Sequence, residues 1–96
     1  MNRKPSTKIN SYKFTPSELL DVRRICRDFT FLEFYLEYFQ DHYYRPFFIR
    51  INNKRVGIMV LSRHSFVLYG DFLWVDQDYR DQGLETELLQ YAEQIM

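Results

Sequence analysis

The sequence predicts a single α+β domain with a mainly antiparallel sheet of about four strands, two helices near the N-terminus and one helix after the last strand. Three observations support this fold class. The 96 residues are 46% hydrophobic and 19% aromatic, which is rich enough for a packed core despite the short length. Three apolar runs between residues 47 and 75 are separated by turn residues, as in antiparallel strands. After them, apolar residues recur at helical spacing.

The first element follows a basic segment at the N-terminus. Residues 1–10 are expected to be a flexible arm, so that the domain covers residues 11–96. Residues 11–15 alternate polar and aromatic side chains, and this alternation predicts a short first strand.

Residues 15–18, Thr-Pro-Ser-Glu, predict the start of the first helix. Proline suits the first turn, and Thr15 or Ser17 can cap the free amide groups. The apolar residues that follow at helical spacing are Leu19, Val22, Cys26 and Phe29. The arginines on the other faces are Arg23, Arg24 and Arg27. These arginines are expected to be solvated, and contact with an acidic partner is the alternative.

The second helix, from a cap at Thr30 to about Asp41, is unusually aromatic. Its aromatic residues are Phe31, Phe34, Tyr35, Tyr38 and Phe39. A helix that is apolar on most sides is buried on most sides, within its own fold or against a partner. We therefore expect this helix to be part of the core or of an interface.

The second half of the chain predicts a hairpin, a further strand and a closing helix. Residues 47–51 and 56–62 are expected to pair, since the Asn52-Asn53 sequence between them tolerates the left-handed backbone of a tight turn. Another strand is expected at residues 66–75. The closing helix should begin near residue 83, and its apolar stripe is Leu84, Leu88, Ala92 and Ile95.

Composition argues against several classes of protein. The formal net charge is zero, which removes the general attraction to nucleic acid or membranes that a basic chain has. The apolar runs are far shorter than the ~20 residues that span a bilayer, and residues 1–15 lack the apolar region of a signal peptide. We therefore expect a cytoplasmic protein with no membrane partner and no preference for nucleic acid.

The cysteine and histidine residues point to no metal. One cysteine excludes an intramolecular disulfide and suits a reducing compartment. Two scattered histidines with this cysteine form no recognisable ligand set. Cys26 is expected in the core, and His42 and His64 in loops or at helix ends.

Residues 75–85 join an apolar strand to a helix through a turn that ends in Arg-x-x-Gly. The first N–H groups of a helix have no intrahelical partner, and the helix dipole places about half a positive charge there. Such a helix start can bind a diphosphate on main-chain groups alone. Gly83 suits that role, because a side chain there would stand between the backbone and the phosphates.

With Arg80, Gly83 and the strand end Leu73-Trp74-Val75, this segment resembles the acyl-CoA signature of the GNAT superfamily of N-acetyltransferases, Arg/Gln-x-x-Gly-x-Gly/Ala. The order of elements is also similar to the first half of that fold. The resemblance implies acetyl-CoA as cofactor and transfer of its acetyl group to an amine. It also implies that the strand end pairs with the pantetheine arm. The implied cofactor-binding residues are Leu73, Trp74, Val75, Arg80, Asp81, Gln82, Gly83, Leu84 and Glu85.

An attacking amine must lose its proton, and Asp71 is the candidate general base. Asp71 is expected on the same strand face as Leu73 and Val75, and members of the family often use a strand carboxylate. The alternative is a polar residue after a kink at Gly70. Tyr69 is a lesser candidate.

Two features depart from the GNAT pattern. Glu85 stands where the pattern has glycine or alanine, and Asp81 adds a second carboxylate, so a diphosphate would meet like charge. An acid in the first helical turn also stabilises the helix dipole with no ligand present. The GNAT fold continues beyond this helix, so the sequence is expected to be a partial domain that another chain or dimerisation completes.

Two functions remain open from the sequence. One is an acetyl-CoA-dependent N-acetyltransferase, whose amine acceptor, a small molecule or a protein, the residues do not identify. The other is a non-catalytic GNAT-like module that binds a protein through its aromatic helix or an open sheet edge. Either function leads us to expect a homo-oligomer or a partner protein.

Overall fold

The computed structural model of the protein describes residues 5–7, 14–40, 44–64 and 67–95, and it describes side chains for 14–40, 44–62 and 72–95. The elements are β1 (Pro5–Thr7), α1 (Pro16–Ile25), α2 (Leu32–Phe39), β2 (Tyr44–Ile51), β3 (Lys54–His64), β4 (Val67–Val75), a 3₁₀ turn (Gln77–Tyr79) and α3 (Leu84–Ile95). The strands form one sheet in the order β1-β2-β3-β4, and each neighbouring pair is antiparallel. The predicted α+β class is confirmed.

Helix α1 begins where the sequence predicts, at a reciprocal cap. The Thr15 hydroxyl accepts a hydrogen bond from the Glu18 N–H at 3.1 Å, and the Glu18 carboxylate accepts one from the Thr15 N–H at 2.8 Å. Two of the helix's free amide groups are thereby satisfied. Val22, Ile25 and Cys26 are fully buried, so the prediction that Cys26 is a core residue is confirmed.

Helix α2 is shorter than expected, and the predicted Thr30 cap is wrong. The residue before the helix is Phe31, and no side chain caps it. Phe31 has φ −94° and ψ 16°, whereas an extended cap residue, such as Thr15 in α1, points its oxygen at the next turn. Residues 26–32 instead form consecutive turns, with the Phe29 N–H bonded to the Cys26 carbonyl at 2.9 Å.

The first strand lies earlier in the chain than the sequence indicates. Phe14 and Thr15 are not in a strand, and residues 11–13 lie outside the described part. Strand β1 lies instead within the expected arm and pairs with Phe47–Ile49 of β2. This pairing uses main-chain groups on the edge of β2, and so it needs no alternation of apolar side chains to mark it in the sequence.

The predicted hairpin and third strand are confirmed as β2, β3 and β4. Asn52 and Asn53, with φ 51° and 66°, form the left-handed turn between β2 and β3. In the β3–β4 pair, Val60 lies opposite Phe72 and Leu61 lies opposite Gly70. Asp71, which lies between these two positions of β4, has no partner in the register. It is therefore the extra residue of a β-bulge.

The sheet separates two apolar cores. Helices α1 and α2 cover one face, where their buried residues pack on Phe48, Ile58 and Val60. Helix α3 covers the other face through Leu84, Leu88 and Ala92, as the helical stripe predicts. No helix in the described ranges is long and apolar enough to cross a bilayer.

Candidate functional site

The loop between β4 and α3 turns sharply through two left-handed residues. Strand β4 ends at Val75, and Asp76 begins the 3₁₀ turn by accepting a hydrogen bond from the Asp78 N–H at 2.9 Å. Asp81 and Gly83 then adopt φ values of 66° and 78°. Aspartate tolerates this region and glycine occupies it freely. The turn thereby places the start of α3 beside the end of β4.

The start of α3 faces open space. A Cβ atom added at Gly83 would have no protein atom within 4 Å other than those of Gly83 itself and of its two neighbours in the chain. The first four N–H groups of any α-helix have no partner four residues earlier, and here the Glu87 N–H is the one that bonds to the Gly83 carbonyl, at 3.1 Å. A cavity of about 240 Å³ lies at this point. Its lining residues are Val75, Tyr79, Arg80, Asp81, Gly83, Leu84, Glu85 and Thr86.

The outer edge of β4 adjoins a second cavity of about 410 Å³. Within the described strands, β4 pairs with β3 on one side alone. The Asp76 N–H bonds to the Val56 carbonyl of β3 at 2.8 Å, so in the same trans peptide the Val75 carbonyl points away from β3, toward the open edge. The second cavity is lined by Asp28, Leu73, Trp74, Val75, Arg80 and Glu85.

Arg80 lines both cavities, and its side chain is bound on three sides. Its Nε donates to the Val75 carbonyl at 3.0 Å, and its Nη2 lies 2.8 Å from Asp28 Oδ2. Its guanidinium carbon is 5.4 Å from the centre of the Trp74 ring, within the range of a cation–π contact. The guanidinium group therefore lies along the edge of β4.

The end of α1 is joined to the loop by a second set of ion pairs. Asp76 is 1% exposed, and its carboxylate lies 3.0 Å from Arg27 Nη1 and 3.4 Å from Arg24 Nη1. Arg27 also reaches Asp78 at 3.0 Å. Burial alone would raise the pKa of Asp76, but the hydrogen bonds from Arg27 and from the Asp78 N–H lower it below its usual value. The carboxylate is therefore ionised at neutral pH.

Arg23 and Arg27 are exposed, as expected of a solvated face, but both of them and Arg24 also pair with acidic residues of the same chain. Arg24 and Arg27 meet acidic residues of the same chain, 49 or more positions later, and Arg23 pairs with Glu33 of α2 at 2.8 Å. Arg24 also pairs with Asp21 at 3.0 Å, three residues earlier in α1, and helical spacing does indicate this partner. The partners Glu33, Asp76 and Asp78 are not at helical spacing.

Two carboxylates face the helix start. Asp81 and Glu85 are exposed and line the cavity beside Gly83. An anion bound there would gain the free amide groups and the helix dipole, but it would be repelled by both side chains. The main chain at Gly83 therefore fits a CoA diphosphate, whereas the carboxylates of Asp81 and Glu85 oppose its binding.

Most of the predicted cofactor-binding residues lie together. All of them except Gln82 line one or both cavities, and Gln82 is exposed in the same loop. Asp71 is the bulged residue of β4, and its side chain lies outside the described residues, as do those of Tyr69 and His64. The role of Asp71 as base therefore stays a prediction. The expectation that His64 lies in a loop or at a helix end is wrong, since it is the last residue of β3 and pairs with Val67. His42 lies outside the described residues.

The structure adds three residues to which no role in the site is assigned from the sequence. Asp28, Asp76 and Arg27 hold the loop in place. An aspartate at the end of a strand, before a turn, is a known capping pattern that indicates Asp76. Asp28 bonds to Trp74, 46 positions away, and no local pattern marks it. Cys26 is no nucleophile, since burial raises the pKa of its thiol to about 12.

Comparison with solved structures finds the same fold. The ribosomal-protein-S18-alanine N-acetyltransferase from Escherichia coli superposes with a TM-score of 0.75 at 20% sequence identity. The superposition covers 95% of this chain and 57% of that one, so this chain spans a little over half the length of the structure it matches. No curated protein sequence matches the chain.

The sequence pattern of the acetyltransferase (GNAT) family matches residues 12–96. This range contains all three helices, strands β2 to β4 and the whole loop between β4 and α3. The chain therefore belongs to the GNAT acetyltransferase family.

Proposed function

We propose that the protein is an acetyl-CoA-dependent N-acetyltransferase that transfers an acetyl group to an amine. The observation that carries the proposal is the open space at Gly83, where the start of α3 meets the free edge of β4. A phosphate group can approach main-chain amides there with no side chain in the way. Family membership makes CoA the expected anion.

Each part of the site has a separate role in this proposal. The main chain from Gly83 to Glu85 binds the diphosphate, and the edge of β4 at Leu73–Val75 orients the pantetheine arm. Acetyl-CoA supplies an acetyl thioester when it is bound. Asp71 would accept a proton from the attacking amine, directly or through water. The new N–C bond to the acetyl carbon would replace the thioester C–S bond, and CoA would leave as a thiolate that takes a proton from solvent.

The first test is calorimetry with CoA and acetyl-CoA, on the parent chain and on Glu85→Gly. This substitution removes a carboxylate and its bulk beside the helix start, so CoA should bind more tightly. Two unit charges about 4 Å apart interact by about 1 kcal/mol in water, which is roughly a fivefold change in a dissociation constant. We therefore expect a several-fold gain at low salt, which should shrink as salt is added.

Two further variants separate charge from bulk. Glu85→Gln removes the charge alone, and Glu93→Gln makes the same change at an exposed position further along α3. The first should give part of the gain and the second almost none. If neither the parent nor Glu85→Gly binds CoA or acetyl-CoA, the transferase proposal fails.

The acceptor is tested by thiol release from acetyl-CoA with a panel of amines. The panel should contain small primary amines and short peptides with a free N-terminus. A peptide that begins with alanine belongs in it, because the name of the structural relative gives an alanine N-acetyltransferase. Release that depends on one class of amine identifies the acceptor chemistry.

A non-catalytic protein-binding module is the second candidate. It is favoured by the carboxylates Asp81 and Glu85 beside the helix start, and by exposed aromatic side chains on and beside α2. The exposed aromatic residues are Phe31, Phe34, Tyr35 and Tyr38. The same calorimetry separates the two functions, since a module of this kind has no need to bind CoA.

A further inference from the structure

One carboxylate outside the GNAT signature contacts both Arg80 and β4. Asp28 lies in the turn between α1 and α2. Its Oδ2 is 2.8 Å from Arg80 Nη2, and its Oδ1 accepts a hydrogen bond from Trp74 Nε1 at 2.9 Å. The two oxygens of one side chain therefore hold a strand residue and a loop residue together.

The same guanidinium group also covers the end of the open strand edge. Arg80 Nε donates to the Val75 carbonyl, which points away from β3. Arginine can do this while it binds Asp28 because its donors lie in a fixed planar fork, whereas lysine offers a single ammonium group. The Arg80 and Asp28 side chains are 35% and 27% exposed, so solvent and dissolved ions can reach the pair.

The position of the pair matters for an anion at the start of α3. Among the described residues that line the two cavities, Arg80 is the one positively charged residue, whereas Asp28, Asp81 and Glu85 are acidic. The charge of Arg80 is therefore already paired before an anion arrives. An anion at the helix start that contacts the guanidinium group must share it with Asp28 or displace it.

We propose that Asp28 is the internal counter-ion of Arg80, a positioning residue that holds the guanidinium group at the edge of β4 and competes with a bound anion for it. The inference rests on the proposed function for its biological anion, the CoA diphosphate. Asp28 thereby sets how tightly the loop binds anions, without belonging to the signature sequence.

The first test needs no ligand. Trp74 is the single tryptophan, and its Nε1–H bonds to Asp28 while the guanidinium group lies against its ring. The indole N–H resonance should therefore move in Asp28→Asn and also in Arg80→Gln. Glu33→Gln, which breaks the exposed ion pair with Arg23, should leave it in place. An indole resonance that Arg80→Gln does not move would overturn the inference.

The second test measures the competition, with inorganic pyrophosphate and CoA as separate probes at fixed low ionic strength. Asp28→Asn should tighten pyrophosphate binding about three- to tenfold, because it removes one negative charge and releases Arg80. The same substitution in an Arg80→Gln background should give a clearly smaller gain, since the negative charge is still removed but there is no guanidinium group to release. Glu33→Gln again serves as the control.

The two probes distinguish failure of this inference from failure of the proposed function. If CoA binds to no variant while Asp28→Asn tightens pyrophosphate binding, the proposed function fails and Asp28 remains the counter-ion. If Asp28→Asn binds pyrophosphate no better than the parent, or tightens it equally without Arg80, the inference is wrong.

Discussion

Asp76 is the buried charge that ties the candidate site to the rest of the domain. It caps the 3₁₀ turn after β4 and pairs with Arg24 and Arg27 of the α1 end. A buried carboxylate that loses its hydrogen bonds or partners is costly to the folded state. The shape of the loop therefore depends in part on one almost fully buried side chain.

We expect Asp76→Asn to lower the free energy of unfolding by about 3 kcal/mol near neutral pH, since breaking one side of a buried ion pair typically costs about that much. The folded pKa of Asp76 is depressed, so its contribution is present above the unfolded pKa near 4 and is lost as pH falls through the folded value. The difference in the free energy of unfolding between parent and variant should be constant at pH 5–8 and should decrease below about pH 4. Urea unfolding at several pH values measures it.

Asp81→Asn is the matched control for that experiment. It makes the same change from carboxylate to amide at an exposed loop residue whose left-handed backbone asparagine also tolerates. Its effect should stay within about 0.5 kcal/mol. A similar loss in both variants would mean that burial of Asp76 is not what stabilises the loop.

Residues of the site could be predicted where the chain carries a local signal. Gly83 and Arg80 stand in a short motif, and the structure places both at the helix start. Asp28 and Arg27 carry no such signal, because only the tertiary fold brings them close to partners that are about 50 positions away in the sequence. The sequence also places Glu85 at the helix start. Its effect on a bound anion depends in addition on charges outside the motif, such as that of Asp28.

At the scale of elements, the two N-terminal helices differ in how they begin. Thr15 and Glu18 cap α1 reciprocally, whereas α2 starts at Phe31 with no side-chain cap. We expect Thr15→Ala to reduce stability by about 1 kcal/mol, which is typical for loss of a cap. Thr30→Ala should cost less than about 0.5 kcal/mol. Thermal or urea unfolding of both variants tests this, and equal losses would restore Thr30 as a cap.

Element order could be predicted because side-chain periodicity records which face is buried. The β2–β3 hairpin, β4 and α3 follow their apolar patterns within a few residues. Strand β1 could not be predicted in the same way, since its pairing with β2 uses main-chain groups. Likewise, the turns of residues 26–32 depend on backbone hydrogen bonds that a capping threonine does not reveal.

At the scale of the whole molecule, we predict that the protein self-associates or docks on another chain. The outer edge of β4 has no strand beside it in the described part, and free strand edges pair readily. Phe31 and Phe34 are 66% and 58% exposed, and aromatic side chains of this kind dominate binding interfaces. Sedimentation of folded protein over a range of concentrations should show association.

A pair of variants locates the surface in that experiment. Phe34→Ser should weaken association, because it removes an exposed aromatic side chain from the proposed contact surface. In the same chain this side chain packs edge-on against Tyr35 and Tyr38. Leu20→Ser removes an exposed apolar residue on α1 and should have little effect. A parent protein that stays monomeric at high concentration, with β4 amides protected from hydrogen exchange, contradicts the prediction.

The separation of the two cores by the sheet has a consequence for how the site is assembled. The loop is held by α1 on one face through Asp76, and by α3 on the other face through Leu84. A chain in which one helical layer has docked and the other has not would therefore lack the site altogether. A ligand of the loop would then bind only the fully folded domain, and by mass action it would stabilise both helical layers together. Binding of such a ligand would therefore indicate that folding is complete.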